Sequence, residues 1–164
     1  MTLTGEAWEQ LRRLVACMAK RGVIALDIHE IRECLGGGEY VPKLMDAGIL
    51  VYLDDGRCEY DRCKFAVVPK WGRRGDVIGA LKAGELRWLM ARYGGRDVFG
   101  DAVAWWIARV VFDYHLYDAV DLSQYDVKRG MGAAYYHIAD NVWLASYTYP
   151  CVRRRCFRYE IVVK

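Results

Sequence analysis

Two hexapeptides of the same design decide the predicted fold, Cys58-Glu-Tyr-Asp-Arg-Cys63 and Cys151-Val-Arg-Arg-Arg-Cys156. Each places a cysteine on either side of four residues, each is flanked by residues typical of β-strands, and a helical pattern precedes each. Facing positions near the tip of a β-hairpin have the Cα separation of about 5.5 Å that a disulfide needs. We therefore interpret the chain as one supersecondary unit used twice, in which each cysteine pair closes a hairpin.

The first unit, residues 1–70, has the pattern of three helices followed by a hairpin. An apolar stripe at helical spacing predicts a first helix that ends near Gly22, with these inward residues: Leu11, Leu14, Val15 and Met18. Asp27 and Glu30 have the spacing of a capping box, which marks the start of a second helix. A third helix is expected to begin near Val41, because Pro42 favours a first helical turn, and two strand-like runs follow it.

The second unit, residues 80–164, shows a similar order of patterns. Two apolar helical segments are followed by a predicted third helix at 124–141, whose inward stripe would consist of Met131, Tyr135, Ile138 and Val142. Alternating residues from 143 to 149 and from 157 to 163 predict the two strands of the second hairpin. The pattern therefore indicates a repeat of the first unit.

The order helix, helix, glycine turn, helix and hairpin in residues 27–68 resembles the winged helix-turn-helix superfamily. That resemblance implies a third helix that enters the DNA major groove and a hairpin wing that contacts the backbone or minor groove. The predicted fold class is α+β and mainly helical, with two winged helix-turn-helix units, each a three-helix bundle followed by a β-hairpin wing. The units are placed at 1–70 and 80–164, joined by a short basic linker at 71–79.

The charge distribution points to a polyanionic partner for the second unit. Residues 80–164 hold 12 basic and 9 acidic side chains, whereas residues 1–70 hold 10 and 11. Like charges that face each other on a hairpin destabilise it, and double-stranded DNA would compensate the arginines of the wing 151–158. We expect phosphate contacts from that wing and major-groove contacts from helix 124–141, although a solvated basic turn and a solvated helix face are the alternative explanations. The predicted DNA-binding residues are Lys128, Arg129, Tyr136, Asn141, Arg153, Arg154, Arg155 and Arg158, with Lys43 and Tyr40 from the first unit.

The cysteines favour disulfides over a metal site. The predicted bonds are Cys58–Cys63 and Cys151–Cys156; the alternative is a single tetrahedral zinc site formed by these four thiolates. The spacing within each pair is long for zinc ligands and no glycine-rich knuckle surrounds them, so no metal and no cofactor is predicted. Cys17 and Cys34 are interpreted as buried thiols, with a third bond as the alternative.

Composition indicates an intracellular protein of a hyperthermophile. The first residues lack the basic and apolar regions of a signal peptide, and no stretch has the length of a membrane span. Six cysteines are unusual inside cells except in hyperthermophiles, whose intracellular proteins are often rich in disulfides. The composition is similar to that of small proteins of viruses that infect hyperthermophilic archaea, and an archaeal host cytoplasm is the expected location.

The residues do not form a recognisable catalytic motif. His29, His115 and His137 fall on separate predicted segments without metal-ligand spacing, and the chain contains no nucleophile elbow or phosphate-binding glycine loop. The predicted function is therefore double-stranded DNA binding and transcription regulation, not catalysis. The alternative is a winged-helix adaptor for protein–protein contacts that does not bind DNA, and a protein partner or homodimer is possible in either case.

Overall fold

The computed structural model describes residues 5–53, 59, 62–70 and 74–164. These residues form six α-helices and eight strands in two sheets. The N-terminal half contains α1 (Gly5–Arg21), β1 (Ala25–Asp27), α2 (Ile28–Leu35), α3 (Val41–Asp46), β2 (Leu50–Tyr52) and β3 (Lys64–Val67). Its three strands form an antiparallel sheet in the order β1-β3-β2.

Local sequence explains the boundaries of the N-terminal helices. The Asp27 carboxylate accepts a hydrogen bond from the Glu30 amide at 2.8 Å, and the Glu30 side chain accepts one from the Asp27 amide at 3.1 Å. The predicted capping box is thus confirmed, and it satisfies amides that have no partner within the helix. The helix α2 ends at Gly36, which adopts a left-handed conformation with φ of 71°.

The C-terminal half is dominated by a five-stranded sheet. Its helices are α4 (Arg74–Lys82), α5 (Leu86–Leu89), which continues as a π-helical turn over Met90–Gly94, and α6 (Ala102–Tyr114). Its strands are β4 (Val98–Phe99), β5 (Ala119–Asp121), β6 (Gly132–Ala139), β7 (Val142–Cys151) and β8 (Arg154–Val163). They lie in the order β4-β8-β7-β6-β5, where β4 runs parallel to β8 and the other neighbours are antiparallel.

The two halves share one core. A continuous cluster of buried apolar side chains includes residues of α1, α2, α3 and both sheets. The buried Arg12 of α1 donates through Nε to the carbonyl oxygen of Ile138 at 2.5 Å. In the other direction, Trp106 of α6 donates through Nε1 to the carbonyl oxygen of Val67 at 2.9 Å. Each half therefore satisfies backbone groups of the other.

The predicted fold class is wrong in its balance and in its repeat. The chain is α+β with two substantial sheets, and the described residues form no three-helix bundle followed by a wing in either half. The N-terminal sheet has a third strand, β1, and the C-terminal half is a sheet packed against α1 and α6. In the predicted linker 71–79, helix α4 begins at Arg74, and residues 71–73 lie outside the described part.

The predicted helix 124–141 is also wrong, because residues 132–139 form strand β6 and the remainder is a loop before it and a turn after it. The spacing of Met131, Tyr135 and Ile138 fits a helix, but the run Tyr135-Tyr136-His137-Ile138 is rich in residues that favour strands. Asp140 and Asn141 then form a two-residue turn, in which Asp140 has a φ of 49°. Pairing with β7 from Gly132 to Ala139 outweighs the weak helical periodicity.

The second hairpin is tighter than predicted. Its turn consists of Val152 and Arg153 alone, because Cys151 pairs with Arg154 and Tyr149 pairs with Cys156. The Cys151–Cys156 bond is confirmed, but it joins diagonal rather than facing positions, with Cα atoms 5.8 Å apart.

The other cysteine predictions have different outcomes. Cys17 of α1 and Cys34 of α2 form a disulfide with Cα atoms 5.9 Å apart, so the interpretation as buried thiols was wrong. The predicted Cys58–Cys63 bond involves Cys58, which lies outside the described residues.

Candidate nucleic-acid interface

Strand register divides the five-stranded sheet into two chemically different faces. Side chains alternate between the faces of a sheet, and the register aligns Tyr136, Leu144 and Ile161 on one of them. Helix α6 packs against this face, where the ring of Phe112 lies 5.0 Å from the ring of Tyr136. We refer to it as the helix face and to the opposite one as the open face.

Aromatic side chains dominate the open face. They are Tyr135 of β6 and Trp143, Tyr147 and Tyr149 of β7. All four are partly exposed, and between them lie the small buried residues Ala133 and Ala145. Two cations cover the rings: the Arg158 guanidinium is 5.4 Å from the centre of Tyr147, and the Lys164 ammonium is 4.5 Å from that of Tyr135. The face is therefore a set of rings interleaved with positive charge.

Polar contacts hold these rings in place. The Tyr135 hydroxyl donates to the Gln124 side-chain oxygen at 3.2 Å, and Arg158 forms an ion pair with Glu160 at 2.9 Å. Burial, together with a hydrogen bond to Tyr135, raises the pKa of Tyr147 to about 12.

Seven cations gather at the end of the sheet where β7 turns into β8. They are Arg96, Lys128, Arg129, Arg153, Arg154, Arg155 and Arg158, and we refer to them as the basic end. The loop before β6 and the segment before β4 reach this turn, because Arg155 donates to the carbonyl oxygen of Gly130 and Arg154 to that of Arg96. Asp97 and Asp126 are the acidic side chains among them, so the cluster remains strongly positive.

The cations of the basic end are of two kinds: those whose side chains hold the structure together, which we call braces, and those that are free to bind a ligand. Arg154 is paired with Asp97 at 2.5 Å, and Arg155 fixes the loop through Gly130, so both side chains hold the structure together. Arg129 and Arg158 are paired with Asp126 and Glu160, whereas Lys128, Arg153 and Arg96 are exposed and form no ion pair with any described residue. They are the cations best placed to bind a ligand.

An open groove of about 360 Å³ lies between the basic end and the open face. Its walls include Tyr147, Tyr149 and Met131, and polar groups of Gln124, Asp126 and Arg129 also line it. Its volume falls in the range of small-ligand sites, roughly 300–1,000 Å³. The groove thus combines flat apolar walls with donors and acceptors of hydrogen bonds.

Four of the predicted DNA-binding residues lie away from this site. Tyr136 is on the helix face, and Asn141 is in the β6–β7 turn, at the opposite end of β7 from Cys151. In the N-terminal half, Tyr40 donates to Glu6 at 3.1 Å, and Lys43 lies 5.6 Å from the ring of Tyr40. The structure instead brings together Lys128, Arg129, Arg153, Arg154, Arg155 and Arg158, although they come from a loop and a hairpin rather than from a helix and a wing.

The aromatic part of the site was missed at the sequence level. The alternation from residue 143 to 149 was recognised as a strand, and it places Trp143, Tyr147 and Tyr149 on one face. The sequence therefore predicted that these side chains share a face, but whether a helix covers that face depends on where α6 packs.

A second cluster of titratable groups joins α1 to the sheet. The Nδ1 atom of His137 is 2.6 Å from Asp118, and its Nε2 atom is 2.6 Å from the carbonyl oxygen of Asp140. Partial burial opposes ionisation of Asp118, but hydrogen bonds from His137 and Arg12 outweigh it and lower the pKa of Asp118. Both nitrogens of the imidazole are occupied, so this cluster supports the fold and offers no free base.

Comparisons with protein-family models, with curated proteins and with solved structures found no match to this chain. Within the described ranges, no group of three or more His, Cys, Asp and Glu side chains is arranged to hold a metal ion. No helix among the same residues is long and apolar enough to cross a bilayer.

Proposed function

We propose that this protein binds double-stranded DNA by holding the phosphate backbone at the basic end of the five-stranded sheet. The observation that carries the proposal is the convergence of cations from three separate segments beside one hairpin turn. Phosphate contacts supply most of the affinity of non-specific DNA binders, and they need clustered Lys and Arg rather than a particular fold. A role in transcription regulation remains part of this proposal.

The backbone of the turn gives independent support. Arg153 has a φ of 61°, a left-handed conformation that glycine adopts without cost and other residues adopt at about 1 kcal/mol. The side chain is exposed, so its packing offers little to offset that strain. The Arg153 guanidinium is therefore held by no packing of its own and is accessible to a phosphate.

The test uses the free cations rather than the braces. In the variant Lys128→Ala/Arg153→Gly, affinity for a random blunt duplex of about 20 base pairs should fall, and the dependence of log affinity on log salt should decrease by about two. Glycine at 153 suits the turn, so the fold should be retained. Binding is measured by fluorescence anisotropy across a salt series.

Lys20→Ala/Lys82→Ala is the matched control. It removes the same charge from exposed sites on α1 and α4, so it should leave the salt dependence nearly unchanged. Equal effects of the two double variants would contradict an interface at the basic end. Wild-type binding that does not weaken with salt would contradict DNA binding altogether, and would favour the adaptor.

A protein–protein adaptor is the second candidate function, because the loop before β6 carries exposed apolar side chains. Val127 is 78% and Leu122 is 59% exposed, and Tyr125 and Met131 of the same loop are exposed as well. Several exposed apolar side chains in one segment are typical of a contact surface. A protein partner would cover them.

A further inference from the structure

The open face has more aromatic surface than a phosphate clamp requires. Along β7, Trp143, Tyr147 and Tyr149 span about 20 Å, since a strand rises about 3.4 Å per residue. The groove beside Tyr147 and Tyr149 connects this row of rings with the basic end. Contacts with a duplex backbone use none of these features.

We propose that the open face binds unpaired bases of single-stranded DNA that continues from the duplex held at the basic end. This inference rests on the proposed function and names the form of DNA that the same site takes. Stacking on aromatic rings tolerates every base, because each base has a flat π-face. A single strand leaving the basic end would meet the groove first and the row of rings next.

The chemistry of the face matches this ligand. The Arg158 and Lys164 cations lie over the rings in the free protein, and bases that stack there would displace them toward the sugar–phosphate backbone of the same strand. Two acidic side chains lie beside these cations, and each is offset by one of them: Glu160 is paired with Arg158, and Asp121, which faces Tyr135 in the register, interacts with Lys164. At the groove, the amide of Gln124, the carboxylate of Asp126 and the guanidinium of Arg129 can form hydrogen bonds with base edges.

The rings form the accessible part of the open face. Ala133 and Ala145 lie between the aromatic side chains and are themselves buried, so a ligand on this face would contact the partly exposed rings. The surface therefore has the two properties common to single-strand binders, aromatic platforms and a positive path for the backbone.

The experiment compares three DNA probes with the full chain at one salt concentration. They are a blunt duplex of about 20 base pairs, the same duplex with an unpaired tail of about 8 nucleotides, and the tail strand alone. The wild-type protein should bind the tailed duplex about tenfold more tightly than the blunt one, since stacking of even one base supplies that gain. Equal affinity for the blunt and tailed duplexes would overturn the inference while leaving the proposed function intact.

Substitutions of Tyr147 and Tyr149 test whether their rings supply the gain in affinity for the tailed duplex. In Tyr147→Ala/Tyr149→Ala the ratio of tailed-duplex to blunt-duplex affinity should fall to about one, while the salt dependence of blunt-duplex binding is kept because no charge is removed. In Tyr147→Phe/Tyr149→Phe the gain should remain because the rings are kept. Trp88→Ala, an exposed aromatic on α5, is the control and should have no effect. Circular dichroism checks that each variant is folded, and the phenylalanine variant and wild-type comparison stay decisive if the alanine variant unfolds. A gain that survives loss of both rings, or that is lost in the phenylalanine variant, would refute stacking at this face.

Discussion

Protonation of His137 is linked to the stability of the fold, because both of its ring nitrogens have acceptors. The Asp140 carbonyl and, after it, the Asp118 carboxylate raise the pKa of His137, although burial and the nearby Arg12 act against them. A raised pKa in the folded state means that the imidazolium binds the folded protein's acceptors better than water does. The residue therefore couples protonation to folding.

The resulting stability depends on pH in one direction. The contribution of His137 should be fully present below the unfolded pKa of about 6.5 and should disappear as pH rises through the higher folded value. His137→Gln should consequently lower the free energy of unfolding more at about pH 5.5 than at about pH 8.5, measured by urea titration. A difference between wild type and variant that is the same at both pH values would show that the proton has no structural role.

At the scale of single residues, the sequence predicted part of the candidate site. The basic wing was evident from the run Arg153-Arg154-Arg155, because charge is a property of the residues themselves. That Arg154 and Arg155 are braces could not be predicted, since Asp97 and Gly130 lie far from them in the chain and meet them only in the fold. Which arginines are free to bind is thus a tertiary property.

At the scale of elements, strand β6 depends on a close approach at its first residue. A Cβ atom at Gly132 would lie 2.6 Å from the Cα atom of Tyr125 and 3.0 Å from the carbonyl oxygen of Gln124. Both are backbone atoms of the loop that lines the groove, so they cannot move aside without displacing the loop. Glycine allows the loop to pack against the strand.

Gly132→Ala should therefore destabilise the protein by roughly 1–3 kcal/mol, the usual cost of overpacking. Gly79→Ala is the matched control: Gly79 is in helix α4 with nothing within 4 Å of the added carbon, so alanine should be neutral or stabilising by up to about 1 kcal/mol. Thermal and urea unfolding measure both. Equal stability of the two variants would mean that the loop does not rest on β6.

Elements with strong local signals were predicted, and those with competing signals were not. The capping box at Asp27 identified α2 because its hydrogen bonds are local. Residues 124–141 carry both a helical stripe and a run of strand-favouring aromatics, and pairing with β7 decides between them. The order of helices in residues 5–46 was correct, whereas the three-residue strand β1 gives almost no pattern. Membership of the winged helix-turn-helix superfamily stays a prediction.

At the scale of the whole molecule, helix α1 connects the two halves of the chain. Arg12 is almost fully buried, and it contacts Ile138 and Asp118 across the interface between the halves. Loss of this side chain would leave the Ile138 carbonyl oxygen without that donor and the α1–β6 contact without its cation. A destabilising substitution in α1 should therefore destabilise both sheets.

We expect a single unfolding transition, with coincident curves from far-ultraviolet circular dichroism and tryptophan fluorescence. Arg12→Ala should lower the free energy of unfolding by about 2 kcal/mol and keep the curves coincident, because a buried hydrogen bond to a charged group is lost. The exposed neighbour Arg13→Ala should change it by less than about 0.5 kcal/mol. Two separated transitions, or a variant in which only one probe shifts, would show that the halves fold independently.

The contact between Arg12 and Ile138 spans 126 positions of the chain. During synthesis, the first helix emerges from the ribosome long before the strand that it must meet, and the part of its apolar side that packs on the five-stranded sheet stays uncovered for that interval. Pairings between such distant segments also slow the search for the native state. The protein should accordingly mature only after translation is nearly complete, and nascent chains cut short before β6 should depend on chaperones to stay out of aggregates.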